Sequence, residues 1–199
     1  MADKYCHFEQ LANSERENVD FRILCRARAS NTAIIAPHGG AIEPGTSEIA
    51  NAVAADDLSF YAFEGLKAND NADLHITSWR FDEPRCIALI ESSVRVITIH
   101  GEASDDEVVY LGGRDKTTGA DIHDVLTARN FSVKSHADPG LQGRDPSNIC
   151  NRGQSGAGVQ LEIARGLRKS FFASLDKAGR NSPTQRFRDF VAALRGALT

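Results

Sequence analysis

Two apolar runs in this chain end in the same way: TAIIA (32–36) leads into Pro37-His38-Gly39, and VRVITI (94–99) leads into His100-Gly101. Runs so short and so rich in β-branched residues read as buried strands. A histidine and a glycine at the end of each then ask for a sheet in which neighbouring strand ends carry histidines on one rim. Around them, LHIT (74–77), EVVYL (107–111), FSVK (131–134) and GVQLEIA (158–164) read as further strands, with EVVYL expected to pair with 94–99. SEIANAVAA (47–55), TGADIHDVLTARN (118–130), RKSFFASLDKAG (168–179) and PTQRFRDFVAALRGAL (183–198) read as helices. Short strands interleaved with helices indicate an α/β fold: one domain over residues 1–199, with a mixed, mostly parallel sheet flanked by helices. In such sheets ligands gather at the carboxyl ends of strands.

Composition narrows the class. With 41% hydrophobic and 25% charged residues, the chain has enough apolar side chain for a real core and too much for disorder. No window approaches the roughly 20 apolar residues of a membrane span. The opening MADKYCHFEQ is charged with no apolar stretch behind it, so the expected setting is the cytoplasm. Cys6, Cys25, Cys86 and Cys150 form no CxxC pair and read as small buried side chains in a reducing compartment. The net charge of −4 conceals a split: from residue 144 onward there are 10 Lys and Arg against 4 Asp and Glu, and before it 13 against 23.

Chemistry concentrates in PHGGAIEPGTSE (37–48). Pro37 is expected to end the strand and His38 to lie just past it, while Gly39, Gly40 and Gly45 allow a tight loop that turns His38 and Glu43 toward one point. Thr46 or Ser47 is placed to cap the next helix. With His100 at the other strand tip, two histidines and a carboxylate reproduce the ligand set of catalytic zinc sites, which keep a fourth position open for water. Metal-assisted hydrolysis also needs a base that is not a ligand. In GVQLEIA, Val159, Leu161 and Ile163 point to one face, Gln160 and Glu162 to the other. Burying Glu162 unpaired is costly, so it is read either as that base or as half of an ion pair with Arg165 or Arg168. His75 is read as support for the metal or as a packed core histidine, and His7, His123 and His136 as local hydrogen-bonding residues. Tyr61 and Trp79 read as core or groove packing.

Seven segments, in order, carry a resemblance: APHGGAIEPGTSEIA (36–50), FYAFEGLK (60–67), LHITSWRFDEP (74–84), ITIHG (97–101), LGGRD (111–115), NICNRG (148–153) and GVQLEIARGLR (158–168). Together they are similar to the phage-type poly-γ-glutamate hydrolases, a family with a carboxypeptidase-like fold. The resemblance implies one zinc ion held by His38, Glu43 and His100, Glu162 as general base, and endo-type hydrolysis of γ-linked glutamyl bonds. For a phage enzyme without a signal peptide, release by host lysis follows. Two features depart from the wider carboxypeptidase pattern: His38 and Glu43 are spaced more widely than in His-x-x-Glu, and Asn151-Arg152 follows the third ligand instead of lying between ligands.

A γ-glutamyl polymer carries a free α-carboxylate on every residue, which calls for arginines able to bind carboxylates bidentately. Arg144, Arg152, Arg165 and Arg168 fall on or beside the long loop 136–158 and the Glu162 strand, and Arg80 and Arg114 fall near other strand ends. Loops of more than about 15 residues in a compact domain are usually functional or mobile. The expected substrate-binding set is therefore Arg114, Asn151, Arg152, Arg165 and Arg168, with Arg152 or Arg114 as oxyanion donor. The expected partner is anionic poly-γ-glutamate or a γ-glutamyl peptide. Two other readings compete. One is a zinc amidohydrolase or carboxypeptidase of different specificity, acting on cell-wall γ-glutamyl peptides or acyl-amino acids. The other is a non-enzymatic, phage-associated nucleic-acid-binding protein using the basic C-terminal quarter. Against the latter stand the absence of a P-loop and of Cys/His finger spacing, and sparse aromatics. The oligomeric state is left open, a monomer included.

Overall fold

The computed structural model describes residues 3–198. The strands are β1 (Phe21–Arg26), β2 (Thr32–Gly40), β3 (Ser59–Gly65), β4 (Arg95–Glu102), β5 (Val108–Gly113), β6 (Ser132–Lys134) and β7 (Val159–Ala164). They form one seven-stranded sheet in the order β1-β3-β2-β4-β7-β5-β6. Four of the six pairings are parallel; β1 with β3 and β5 with β7 are antiparallel. At the centre, β2, β4 and β7 run side by side in one direction, so their carboxyl ends meet on one rim. Central parallel strands are covered on both faces, which explains why their sequences are near-continuous apolar runs.

On one face, Ile34, Ala36, Ile97, Ile99, Leu161 and Ile163 are buried under α2 (Thr46–Ala54), α4 (Lys116–Ala128), α5 (Arg165–Phe171) and α6 (Gln185–Leu198). On the other, Ala33, Ile35, Tyr61, Phe63 and Val96 are buried with Leu11 of α1 (Phe8–Ala12), Leu89 and Ile90 of α3 (Pro84–Glu91), and Leu74, Phe81 and Ile149 from the connecting segments.

One irregularity decides where the site lies. Ala36 of β2 pairs with Ala62 of β3, but the next pair is Gly39 with Glu64, so Pro37 and His38 together oppose the single Phe63. This is a β-bulge, a place where proline is tolerated in a sheet. Strict alternation would put His38 on the face of Ile34 and Ala36, beneath the helices. The extra residue reverses the alternation: Gly39 now faces α2, where any side chain would collide with Ser47 Oγ, and His38 turns to the opposite face beside His100. Pro37 therefore does not end the strand, which continues to Gly40.

Other expectations need correcting. LHIT (74–77) is not a strand: a turn at Asn71–Leu74 leads into a segment whose polar backbone is held by side chains, Thr77 N–H by Asp3 and Ile76 C=O by His38. EVVYL pairs with β7 and β6 rather than with β4, because the apolar pattern marks a strand without naming its neighbour. The helix expected at 168–179 spans Arg165–Phe171, and Asp176 caps a separate turn at Gly179. Neither Thr46 nor Ser47 caps α2; both hydroxyls bond the preceding loop, at Glu43 C=O and Gly40 N–H. Cys86 and Cys150 are buried, but Cys6 and Cys25 are exposed. Strands β1 and β3 and helices α1 and α3 complete the fold beyond the elements read from sequence. Among the described residues no helix is long and apolar enough to cross a membrane.

Candidate active site

At the carboxyl ends of the central strands opens a cleft of about 500 Å³. His38 reaches it from the bulge of β2, Glu43 from the loop before α2, and His100 from β4. Glu162 is the register partner of His100 on β7, so the two side chains stand next to each other on the same face. His38 Nδ1 lies 3.2 Å from Glu43 Oε1 and 3.3 Å from His100 Nδ1, and Glu43 Oε2 accepts from Gly101 N–H at 2.8 Å. Each histidine is anchored through its far nitrogen: His38 Nε2 donates to Ile76 C=O at 2.8 Å, and His100 Nε2 is 3.4 Å from Ser78 Oγ.

This arrangement fits a metal. With Nε2–H committed to a carbonyl, neutral His38 presents the lone pair of Nδ1 to the Nδ1 of His100 and to a carboxylate. A cation placed between them would be shared by all three groups. Ligand atoms about 2.0–2.1 Å from a tetrahedral zinc stand about 3.3–3.4 Å apart; the separations from His38 Nδ1 match that span, and His100 Nδ1 stands 3.9 Å from Glu43 Oε2. The second histidine nitrogen held by a carbonyl or hydroxyl is the usual way a ligating ring is oriented. His75 enlarges the cluster: its ring stacks on His38 at 4.0 Å between centroids, and one of its ligand atoms lies within 4.8 Å of those of His38 and Glu43. Asp3 holds the His75 Nδ1 at 2.7 Å.

Electrostatics distinguish the two histidines. Burial outweighs the pull of Glu43 and takes His100 down to about 3, so its imidazole is neutral near pH 7. Burial also works to lower His38, but the charge and hydrogen bond of Glu43 reverse this and raise it. For Glu43 burial works upward, yet His38, His100 and the Gly101 N–H hold its carboxyl well below the usual range. Glu162 behaves in the opposite way. Burial, reinforced by the charges of Glu43 and Glu102, pushes it well above the usual carboxylate range. It forms no ion pair with Arg165 or Arg168 among the described residues, and Gln160 donates to its Oε1 at 2.9 Å.

The five residues expected to bind substrate do not line the cleft. Arg114 is exposed where β5 ends beside the start of β7, at the opposite end of β7 from Ala164. Asn151 is buried and braces the loop, donating to the carbonyls of Gly143 and Asp145 and accepting from Gly158 N–H. Arg152 reaches toward Phe81 C=O and Glu91. Arg165 pairs with exposed Asp105 at 2.8 Å. Arg168 is buried beside the Glu43 loop, but its donors go to the carbonyls of Ile163, Pro44 and Glu102. Among the described residues lining the cleft, none is lysine or arginine. The lining includes residues sequence reasoning missed, notably Asp3, Ser78 and Asn148. Gln160 was legible in part, since alternation places it on the face of Glu162.

Fold and site together define an α/β protein with a histidine–carboxylate cluster that could hold a metal ion, beside a buried, protonatable carboxylate at the rim of a central parallel sheet. A family model described as poly-gamma-glutamate hydrolase matches residues 5–193, and the chain belongs to this family. The SPbeta prophage-derived UPF0714 protein YoqZ of Bacillus subtilis is 39% identical over 195 residues, covering 97% of this chain and 70% of YoqZ. A bacteriophage poly-gamma-glutamate hydrolase structure superposes with a TM-score of 0.95 at 32% identity, covering 99% of this chain and 97% of the other. A zinc-free structure of YndL superposes with a TM-score of 0.93 at 35% identity, covering 99% and 98%.

Proposed function

We infer that this protein is a zinc-dependent hydrolase of the γ-glutamyl amide bonds of poly-γ-glutamate, with His38, Glu43 and His100 holding the metal and Glu162 acting as general base. The observation that carries the reading is the convergence of the two Nδ1 atoms and the Glu43 carboxylate within 3.2–3.9 Å of one another, next to a buried carboxylate that forms no ion pair among the described residues. Zinc, when bound there, supplies a Lewis acid that polarises the scissile carbonyl and acidifies water. Glu162 takes the proton from the attacking water and returns it to the departing amine, and its raised pKa equips it to do both. His38, Glu43 and His100 stay fixed throughout, held by Ile76, Gly101 and Ser78.

A cleft without a lysine or arginine on its walls favours a second reading, the cleavage of short γ-glutamyl peptides whose few carboxylates reach solvent. One assay separates the readings and tests both: release of oligoglutamates from poly-γ-glutamate, compared with cleavage of γ-glutamyl dipeptides, by the protein as purified, after chelation, and after zinc is restored. Turnover that survives full chelation rejects the metal-dependent mechanism, and cleavage of dipeptides alone rejects the polymer as substrate.

A further inference from the structure

Gln160 and Asn148 lie outside the ligand and base assignments, yet both are buried and both line the cleft. Their hydrogen bonds run in one direction. Cys150 N–H donates to Asn148 Oδ1 at 3.0 Å, which turns the Asn148 Nδ2 toward Gln160, where it donates to Oε1 at 3.0 Å. With that oxygen engaged, Gln160 Nε2 faces away and donates to Leu141 C=O at 3.1 Å and to Glu162 Oε1 at 2.9 Å. The two ends of this chain are a backbone N–H and a backbone C=O, groups with no choice of role, so its polarity does not depend on how the amides are assigned. Gly143 closes the arrangement. It sits at φ +59°, and a side chain there would press into Cβ, Cδ and Oε1 of Gln160.

We propose that Gln160 is a positioning residue for Glu162: the chain Cys150–Asn148–Gln160 holds the Oε1 of Glu162 and leaves Oε2 as the atom that exchanges a proton with substrate water. This rests on the reading of Glu162 as base. It also gives the long connection between β6 and β7 a task, because Leu141, Gly143 and Asn148 all belong to it. The loop shapes one wall of the cleft and, through one glutamine, fixes the carboxylate's rotamer in advance, which is how a base is kept within reach of its proton.

The test is a mutant cycle on the zinc-loaded protein. Gln160→Met preserves length and removes both donors; it should lower kcat about 10- to 100-fold with KM and zinc content unchanged. In a Glu162→Asp background, where the carboxylate is one methylene too short to reach Gln160, the same change should cost less than about twofold more. Asn148→Asp keeps the Cys150 contact but cannot donate to Gln160, and should lower kcat in the same direction. Melting curves verify that each variant is folded at the assay temperature. The proposal is overturned if Gln160→Met keeps wild-type kcat while Glu162→Gln is inactive, or if its loss multiplies in full with Glu162→Asp, which would assign Gln160 a structural role only. Retained turnover in Glu162→Gln would instead remove the base reading on which it stands.

Discussion

The two faces of the central sheet are built from the same three strands and differ sharply. Beneath the helices α2, α4, α5 and α6, β2, β4 and β7 present apolar side chains along their lengths, from Ile34, Ile97 and Val159 to Ile163. On the opposite face β2 and β4 begin apolar, with Ala33, Ile35 and Val96, and toward the rim β2, β4 and β7 carry His38, Thr98, His100, Gln160 and Glu162. The first face supplies cohesion and tolerates no charge. The second carries groups that are costly to bury, and the cohesion of the first is what permits it.

Breaking the polar end should abolish chemistry and spare the fold. His38→Ala or His100→Ala is expected to lose the metal and all turnover, checked by zinc stoichiometry alongside circular dichroism. Glu162→Gln should keep zinc and lower kcat about 10²–10⁴-fold. Below its raised pKa the wild-type Glu162 is protonated and cannot act as base, so kcat should fall on the acidic side at a pH above the ordinary 4.5, and this limb should be absent from the residual activity of Glu162→Gln. Breaking the apolar face should do the reverse. Leu161→Ala, one residue from Glu162 and fully buried, should cost about 2–5 kcal/mol of stability in urea unfolding with zinc still bound. The smallest effect is expected at Arg165→Ala: its exposed, solvent-screened pair with Asp105 contributes little to stability, and KM for poly-γ-glutamate should not change.

The last prediction also marks where sequence reading ran out. The paired strand–histidine–glycine segments and the lone acid of GVQLEIA are local patterns, and the fold preserves them: His38, Glu43, His100 and Glu162 meet in one cleft. The arginines were judged by nearness along the chain, and a guanidinium on a long stem goes wherever a carboxylate or carbonyl waits. The excess positive charge after residue 144 is met by the acidic part of the same molecule. Arg165 and Lys169 pair with Asp105, Arg180 with Glu48, Arg186 with Glu107, and Arg195 with Asp57, at 2.7–2.9 Å. Five of the ten basic side chains from residue 144 onward are thus turned onto acids of the protein itself. The bulge escaped for a different reason: alternation can be read from sequence, but a slip in it shows only against the partner strand.

That slip gives chain length at Pro37-His38 an unusual meaning. Downstream of it, every residue of β2 is out of phase with the residues before it, so His38 shares the face of Ile35 and Gly39 that of Ala36. Without Pro37, His38 alone would oppose Phe63 and still share the face of His100, so what the extra residue supplies is the local bend at which the imidazole meets Glu43 and His100.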